Sequence, residues 1–110
     1  MALNKNKRLI FEKQAEIIKA VSHPVRIAIL DFLKDTERCV CDIAEHVGSE
    51  RSNVSKHLAV MHSAGIVEQH KEGLKVLYRV KTPCLLECFI CISNVIKEQA
   101  KESKKLLEAF

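Results

Sequence analysis

A mainly α-helical single domain with one small β-hairpin is the fold class this sequence predicts. Three observations point to it: apolar residues recur with helical period over five stretches, two short β-like segments flank a glycine turn, and no linker or repeat divides the chain. With 110 residues, 47% of them hydrophobic, residues 1–110 make one small domain whose core gains from burying further surface, so a homodimer is the default expectation.

The first helix spans about Asn6 to Val21, where Leu9, Ile10, Ala15, Ile17, Ile18 and Val21 recur among charges before Ser22-His23-Pro24 stops the run. Pro24 suits the first turn of a second helix, in which Val25, Ala28, Ile29, Phe32 and Leu33 form a core-facing stripe until about Lys34. A short third helix covers Asp42 to Val47, with Ile43, Ala44 and Val47 inward, and Gly48 ends it. Ser49 is placed to cap a fourth helix running to about Ser63, with Val54, Leu58 and Met61 as its buried stripe. Beyond Gly65 the period shortens: Ile66 to His70 and Leu74 to Val80 read as strands around Lys71-Glu72-Gly73. Thr82 and Pro83 then open a last helix from Cys84 towards Leu107.

This order is that of a winged helix-turn-helix. The last helix carries Leu85, Leu86, Phe89, Ile90, Ile92, Val95 and Ile96 around nearly its whole circumference, more than one small chain can bury. The first and last helices are therefore expected to form the homodimer interface. Along the fourth helix the residues outside the buried stripe are polar or basic, with His62 among them, and none of those considered is acidic. Ser52, Asn53, Lys56 and His57 are expected to meet base edges in a major groove, and Arg51 and Ser55 to hold phosphates. Lys71, Lys75 and Arg79 on the hairpin are candidates for the flanking backbone or minor groove. A formal charge of +4 permits double-stranded DNA as the partner without demanding it. His23 and His46 read as cap or surface residues, and His70 as a surface strand residue.

Other classes fit poorly. The apolar run from Cys84 to Ile96 falls short of the roughly 20 residues a bilayer requires. An odd cysteine count and a charged start, residues 1–11, argue against a disulfide-stapled secreted domain and point to a cytoplasmic protein with reduced thiols. Neither a Ser-His-Asp set, a phosphate loop nor a nucleotide fingerprint occurs, so an enzyme is not expected.

Five cysteines flank the reading element in two clusters, Cys39 with Cys41 and Cys84 with Cys88 and Cys91. On a regular helix Cys39 and Cys41 would stand about 200° apart and could share an ion only if the first turn were non-helical. Cys84, Cys88 and Cys91 fall within an arc of about 60°, but the outer two are separated by about 10 Å along the axis. Neighbouring pairs of the trio can converge where the helix start frays, and the partner helix could add a ligand, which makes the trio the expected tighter binder. Thiol redox or persulfide sensing and packing in a dimer seam compete with a soft metal or metalloid site there. An iron–sulfur cluster is poorly served by a helix.

Three segments together resemble one family: Ser22-His23-Pro24-Val25-Arg26-Ile27-Ala28-Ile29-Leu30, Cys39-Val40-Cys41-Asp42-Ile43-Ala44, and Asn53-Val54-Ser55-Lys56-His57-Leu58 with Gly65-Ile66-Val67. The chain is similar over essentially its whole length to the ArsR/SmtB repressors, homodimeric winged helix-turn-helix proteins that leave operator DNA when an inducer binds. The resemblance places Ser52, Asn53, Ser55, Lys56 and His57 on the recognition helix and Gly73 on the wing. It makes Cys39 and Cys41 ligands for As(III) or a related thiophilic ion such as Cd(II) or Pb(II), whose binding would distort the helix that supports the reader. Two departures stand out: Ala44 occupies the place of a third cysteine found in arsenic-responsive members, and residues 1–38 hold no cysteine of the kind cadmium-responsive members add. The last helix offers Glu87, Glu98 and Glu102 but no histidine, so the family's zinc site there is not expected. A redox-sensing repressor, and a thiol or metal carrier that uses the fold without DNA, are the alternatives.

Overall fold

The computed structural model describes residues 4–110, so the first three residues of the charged amino-terminal stretch lie outside it. Eight elements follow one another: α1 (Lys5–Val21), α2 (Pro24–Leu33), β1 (Arg38–Cys39), α3 (Val40–Val47), α4 (Arg51–Ser63), β2 (Val67–Glu72), β3 (Lys75–Val80) and α5 (Leu85–Glu108). Asn4 caps α1 by accepting the Lys7 backbone N–H at 2.8 Å. His23 caps α2 in the same way, its Nδ1 accepting the Val25 N–H at 3.0 Å, and Pro24 occupies the first turn, where its missing N–H costs nothing. The histidine expected as a cap or surface residue is thus a cap.

Gly48, at φ 69°, ends α3 in the left-handed region, and α4 begins three residues later. Ser49 does not cap α4: Glu50 holds that position with no side-chain bond, and the Ser49 hydroxyl instead accepts a hydrogen bond from the Asn53 amide at 3.1 Å. Helices α3 and α4 are the helix-turn-helix and β2–β3 the wing. The wing turns at Gly73-Leu74, with Glu72 opposite Lys75 and Gly73 at φ 64°, the positive φ a two-residue hairpin loop needs.

A third strand was not expected. Arg38 and Cys39 pair antiparallel with Tyr78 and Leu77, so the sheet has the order β1-β3-β2 and the chain enters α3 directly from a sheet edge. At the other end of the wing, α5 starts at Leu85, and Cys84 is its N-cap residue in helical conformation.

Ile29, Leu30 and Leu33 of α2, Ile43 and Ala44 of α3, Val54, Leu58 and Met61 of α4, and Ile66 and Val67 close one core. The three stripe residues expected on α4 are fully buried. Outside this core, α1 and α5 keep Leu9, Ile10, Ile17, Ile18, Ile90, Ile92, Val95 and Ile96 exposed, and α5 meets the core only through the half-buried Leu85, Leu86 and Phe89. The radius of gyration is 17.7 Å, against about 13 Å for a compact chain of this length. Two long helices therefore project from a small core with apolar faces in solvent. None of the described helices is long and apolar enough to cross a membrane.

Candidate nucleic-acid interface and thiol site

Helix α4 is set by its apolar side. With Val54, Leu58 and Met61 fixed in the core, Arg51, Ser52, Asn53, Ser55 and Lys56 stand exposed on the outer face of the first two turns. The free backbone N–H groups of this amino-terminal turn add a partial positive charge beside Arg51, an arrangement that favours phosphate. Asn53 is tied to Ser49 in the preceding turn, which restrains its amide near the tip of the reading face. Lys71 and Lys75 are exposed at the wing tip.

Two of the residues expected at this interface are placed otherwise. His57 lies inward, 9% exposed, because it falls three residues after Val54 and four before Met61 on the core side of α4. Its Nδ1 accepts a hydrogen bond from Arg26 Nε at 3.1 Å, and the His23 ring lies beside it, tilted by 45° with the ring centres 4.4 Å apart. Burial, followed by the positive influence of His23 and Arg26, holds its pKa below the usual histidine value. It is withdrawn from the base-reading set. Arg79 is held by carboxylates, donating to Glu68 across the wing and standing 3.7 Å from Glu37, whose other oxygen is 3.2 Å from His70 Nδ1. Its charge is matched within the wing, so a phosphate there would compete with Glu37 and Glu68; the surface strand residue His70 joins the same cluster.

The two cysteine clusters are placed differently. Cys39 is not part of a helix: it sits at φ −80°, ψ 164°, extended by its pairing with Leu77, whereas Cys41 lies in the first turn of α3. The bend between strand and helix brings the two Sγ atoms to 2.7 Å. The Asp42 carboxylate joins them, all three ligand atoms lying within 4.8 Å of one another. Among the described residues this is the one cluster of three metal-binding groups, and Cys84, Cys88 and Cys91, all exposed, do not form another. Cys84 stands at the N-cap of α5 and Cys88 and Cys91 within it, so the single chain does not draw the three together.

The pair is chemically distinctive. Cys39 is buried and Cys41 half-buried. The hydrogen shared with Cys39 raises the Cys41 thiol pKa, with desolvation and then the negative charges of Cys39 and Asp42 acting the same way, and the Asp42 backbone opposes them. A soft cation that replaces the shared proton relieves this repulsion. Thiolate bonds near 2.3 Å in a tetrahedral arrangement set sulfurs about 3.8 Å apart, so the pair fits a common ion after opening by about 1 Å. An open groove lined by Cys41, Asp42, Glu45, Glu50 and Arg51 leads from the thiols to the first residues of α4.

Comparison with known proteins agrees with this architecture. The profile of the bacterial regulatory protein arsR family matches residues 23–69. An uncharacterised HTH-type transcriptional regulator of Mycobacterium tuberculosis is 30% identical over 100 residues, covering 90% of this chain and 88% of the relative. The arsenical resistance operon repressor of Staphylococcus xylosus is 31% identical over 70 residues, 64% of this chain and 67% of the relative. The homodimeric winged helix-turn-helix DNA-binding domain of a possible ArsR-family regulator from Mycobacterium bovis superposes with a TM-score of 0.77 at 29% identity, covering 93% of this chain and 95% of that one. The thiol-bearing winged helix-turn-helix described here belongs to the arsR family of bacterial transcriptional regulators.

Proposed function

We propose that the protein is a homodimeric repressor whose α4 helices occupy successive major grooves of an operator, and which releases DNA when As(III) or a related thiophilic ion binds Cys39 and Cys41. The observation that carries it is the 2.7 Å approach of the two sulfurs at the entry to α3, the helix packed against α4. Cys39 belongs to the sheet and Cys41 to the helix-turn-helix, so parting the sulfurs shifts the wing against the reader. Cys39 and Cys41 supply two soft donors and Asp42 a harder third. The uncovered faces of α1 and α5 and the homodimeric domain among the similar structures support the dimer, and the arsenical resistance operon repressor among the relatives supports the class of inducer. Arg51 and Ser55 hold phosphates, Ser52, Asn53 and Lys56 meet base edges, and Lys71 and Lys75 flank them. The working site is cytoplasmic, where thiols stay reduced.

The same contact favours a second reading, oxidation of the pair. Two thiols would pass two electrons and two protons to a peroxide, giving a Cys39–Cys41 disulfide and two products at the water or alcohol level. One experiment separates the two. Fluorescence anisotropy is measured on a duplex selected from a randomised pool by the metal-free reduced protein, with As(III), Cd(II) or peroxide added. Release by As(III) or Cd(II) in reducing buffer, lost in the Cys39→Ser, Cys41→Ser variant and kept when Cys84, Cys88 and Cys91 are all serine, is the expected result. Release by peroxide alone favours oxidation. Normal metal response in the Cys39→Ser, Cys41→Ser variant overturns the site.

A further inference from the structure

His57 has the sequence position of a base reader and the surroundings of a core residue. We infer that it is a positioning residue: Arg26 and His57 form a strut that sets the angle of α4, and DNA binding requires the His57 ring to be uncharged. The inference takes α4 as the reading helix, as proposed above.

The strut has three linked parts. Arg26 Nη1 donates to the Ala20 carbonyl at 3.2 Å, near the carboxyl end of α1. The same guanidinium donates through Nε to His57 Nδ1 at 3.1 Å. The His23 ring closes the other side of His57, while its own Nδ1 is used by the Val25 N–H at the start of α2. One guanidinium thus ties α1, α2 and α4 together at the point where a projecting helix meets the reader.

The chemistry of the contact sets its pH dependence. Arg26 can only donate, so His57 must accept through an unprotonated Nδ1, which places the proton of the neutral ring on Nε2. A second proton on His57 turns the contact into two donors facing each other beside a positive charge. The titratable and charged groups facing the ring are His23, at the α1–α2 junction, and Arg26, on α2, and neither favours a cation there. Acid therefore breaks the strut and loosens the angle of α4 against α1 and α2, which still meet it in the core, without touching the thiols. The sign is opposite to that of a histidine on a phosphate, which would bind DNA better when protonated.

The test uses the metal-free reduced protein and the selected duplex, from about pH 8 to about pH 5.5. With one His57 in each α4 of the dimer, protonation of both at the ordinary value of about 6.5 would cost about a hundredfold in affinity at pH 5.5, and depressed groups less. Wild type is expected to lose affinity by less than about a hundredfold. The His57→Gln variant, whose amide oxygen accepts from Arg26 but does not titrate, is expected to bind a few-fold more weakly at pH 8, to keep the wild-type base preference and to lose the acid limb. Arg26→Gln is expected to weaken binding by about ten- to a hundredfold, the scale of one hydrogen bond to a charged group. Ring 15N shifts of the wild-type protein provide a readout independent of variant folding, and they are expected to show the Nε2–H tautomer at neutral pH. A changed base preference in His57→Gln, an acid limb equal to wild type, or an Nδ1–H tautomer overturns the inference. Failure of wild type to bind any duplex would instead overturn the DNA-reading function.

Discussion

Replacing Ile92 and Ile96 by alanine is expected to break the dimer. The two lie one turn apart on α5 and are 55% and 59% exposed in the single chain. Each substitution removes three carbons, about 2.4 kcal/mol of transfer free energy on full burial. A little over half of that surface remains to be covered by a partner, leaving about 1.3 kcal/mol per site. In an isologous interface both protomers lose it, so the double substitution carries about 5 kcal/mol. The dimer dissociation constant should rise by about three to four powers of ten. Sedimentation equilibrium measures it directly, and circular dichroism checks that α5 persists. An unchanged dimer constant would refute α5 as the interface, and a wild type monomeric at high micromolar concentration would refute the dimer.

Within the domain, Leu58→Ala opens a cavity at a fully buried site on α4 and is expected to cost about 2–5 kcal/mol in urea unfolding. Gly48→Ala meets no atom within 4 Å of the added Cβ, so its cost is conformational alone, about 1 kcal/mol for a left-handed residue, read as a lower thermal midpoint. Stability should also depend on pH through His57. Its folded pKa is depressed, so the unfolded chain binds the proton more readily; the stability is fully present above about 6.5 and is lost as pH falls through the lower folded value. Urea midpoints across that range should fall for wild type and stay flatter for His57→Gln; parallel profiles would remove His57 as the cause.

Helical periodicity was legible wherever a stripe met the core. Val54, Leu58 and Met61 were readable because three- and four-residue spacings leave one way to bury them. The same spacing placed His57 on that stripe, three residues after Val54, and its polarity hid the signal. Strand β1 was not legible: two residues carry no alternation, and they become a strand only by pairing with Tyr78 and Leu77, about 40 residues along the chain. The pairing of Arg79 with Glu37 and Glu68 was equally invisible, since it needs the register of β3 against β2 and the approach of the loop before β1.

That unreadable strand decides the thiol chemistry. Helical geometry applied to both Cys39 and Cys41 would set their side chains on opposite faces, and the non-helical start that a shared ion requires is what the strand supplies. Pairing with Leu77 keeps Cys39 extended, so the chain turns by the angle between a strand and a helix within Val40 alone. Two thiols then meet although neither helix nor strand periodicity would join them. On α5 the reverse holds: Cys84, Cys88 and Cys91 follow regular helical spacing, with Cys84 at the cap, and regularity keeps the outer two apart. The number of cysteines on a face therefore says less about a soft-ion site than an interruption of the helix that carries them.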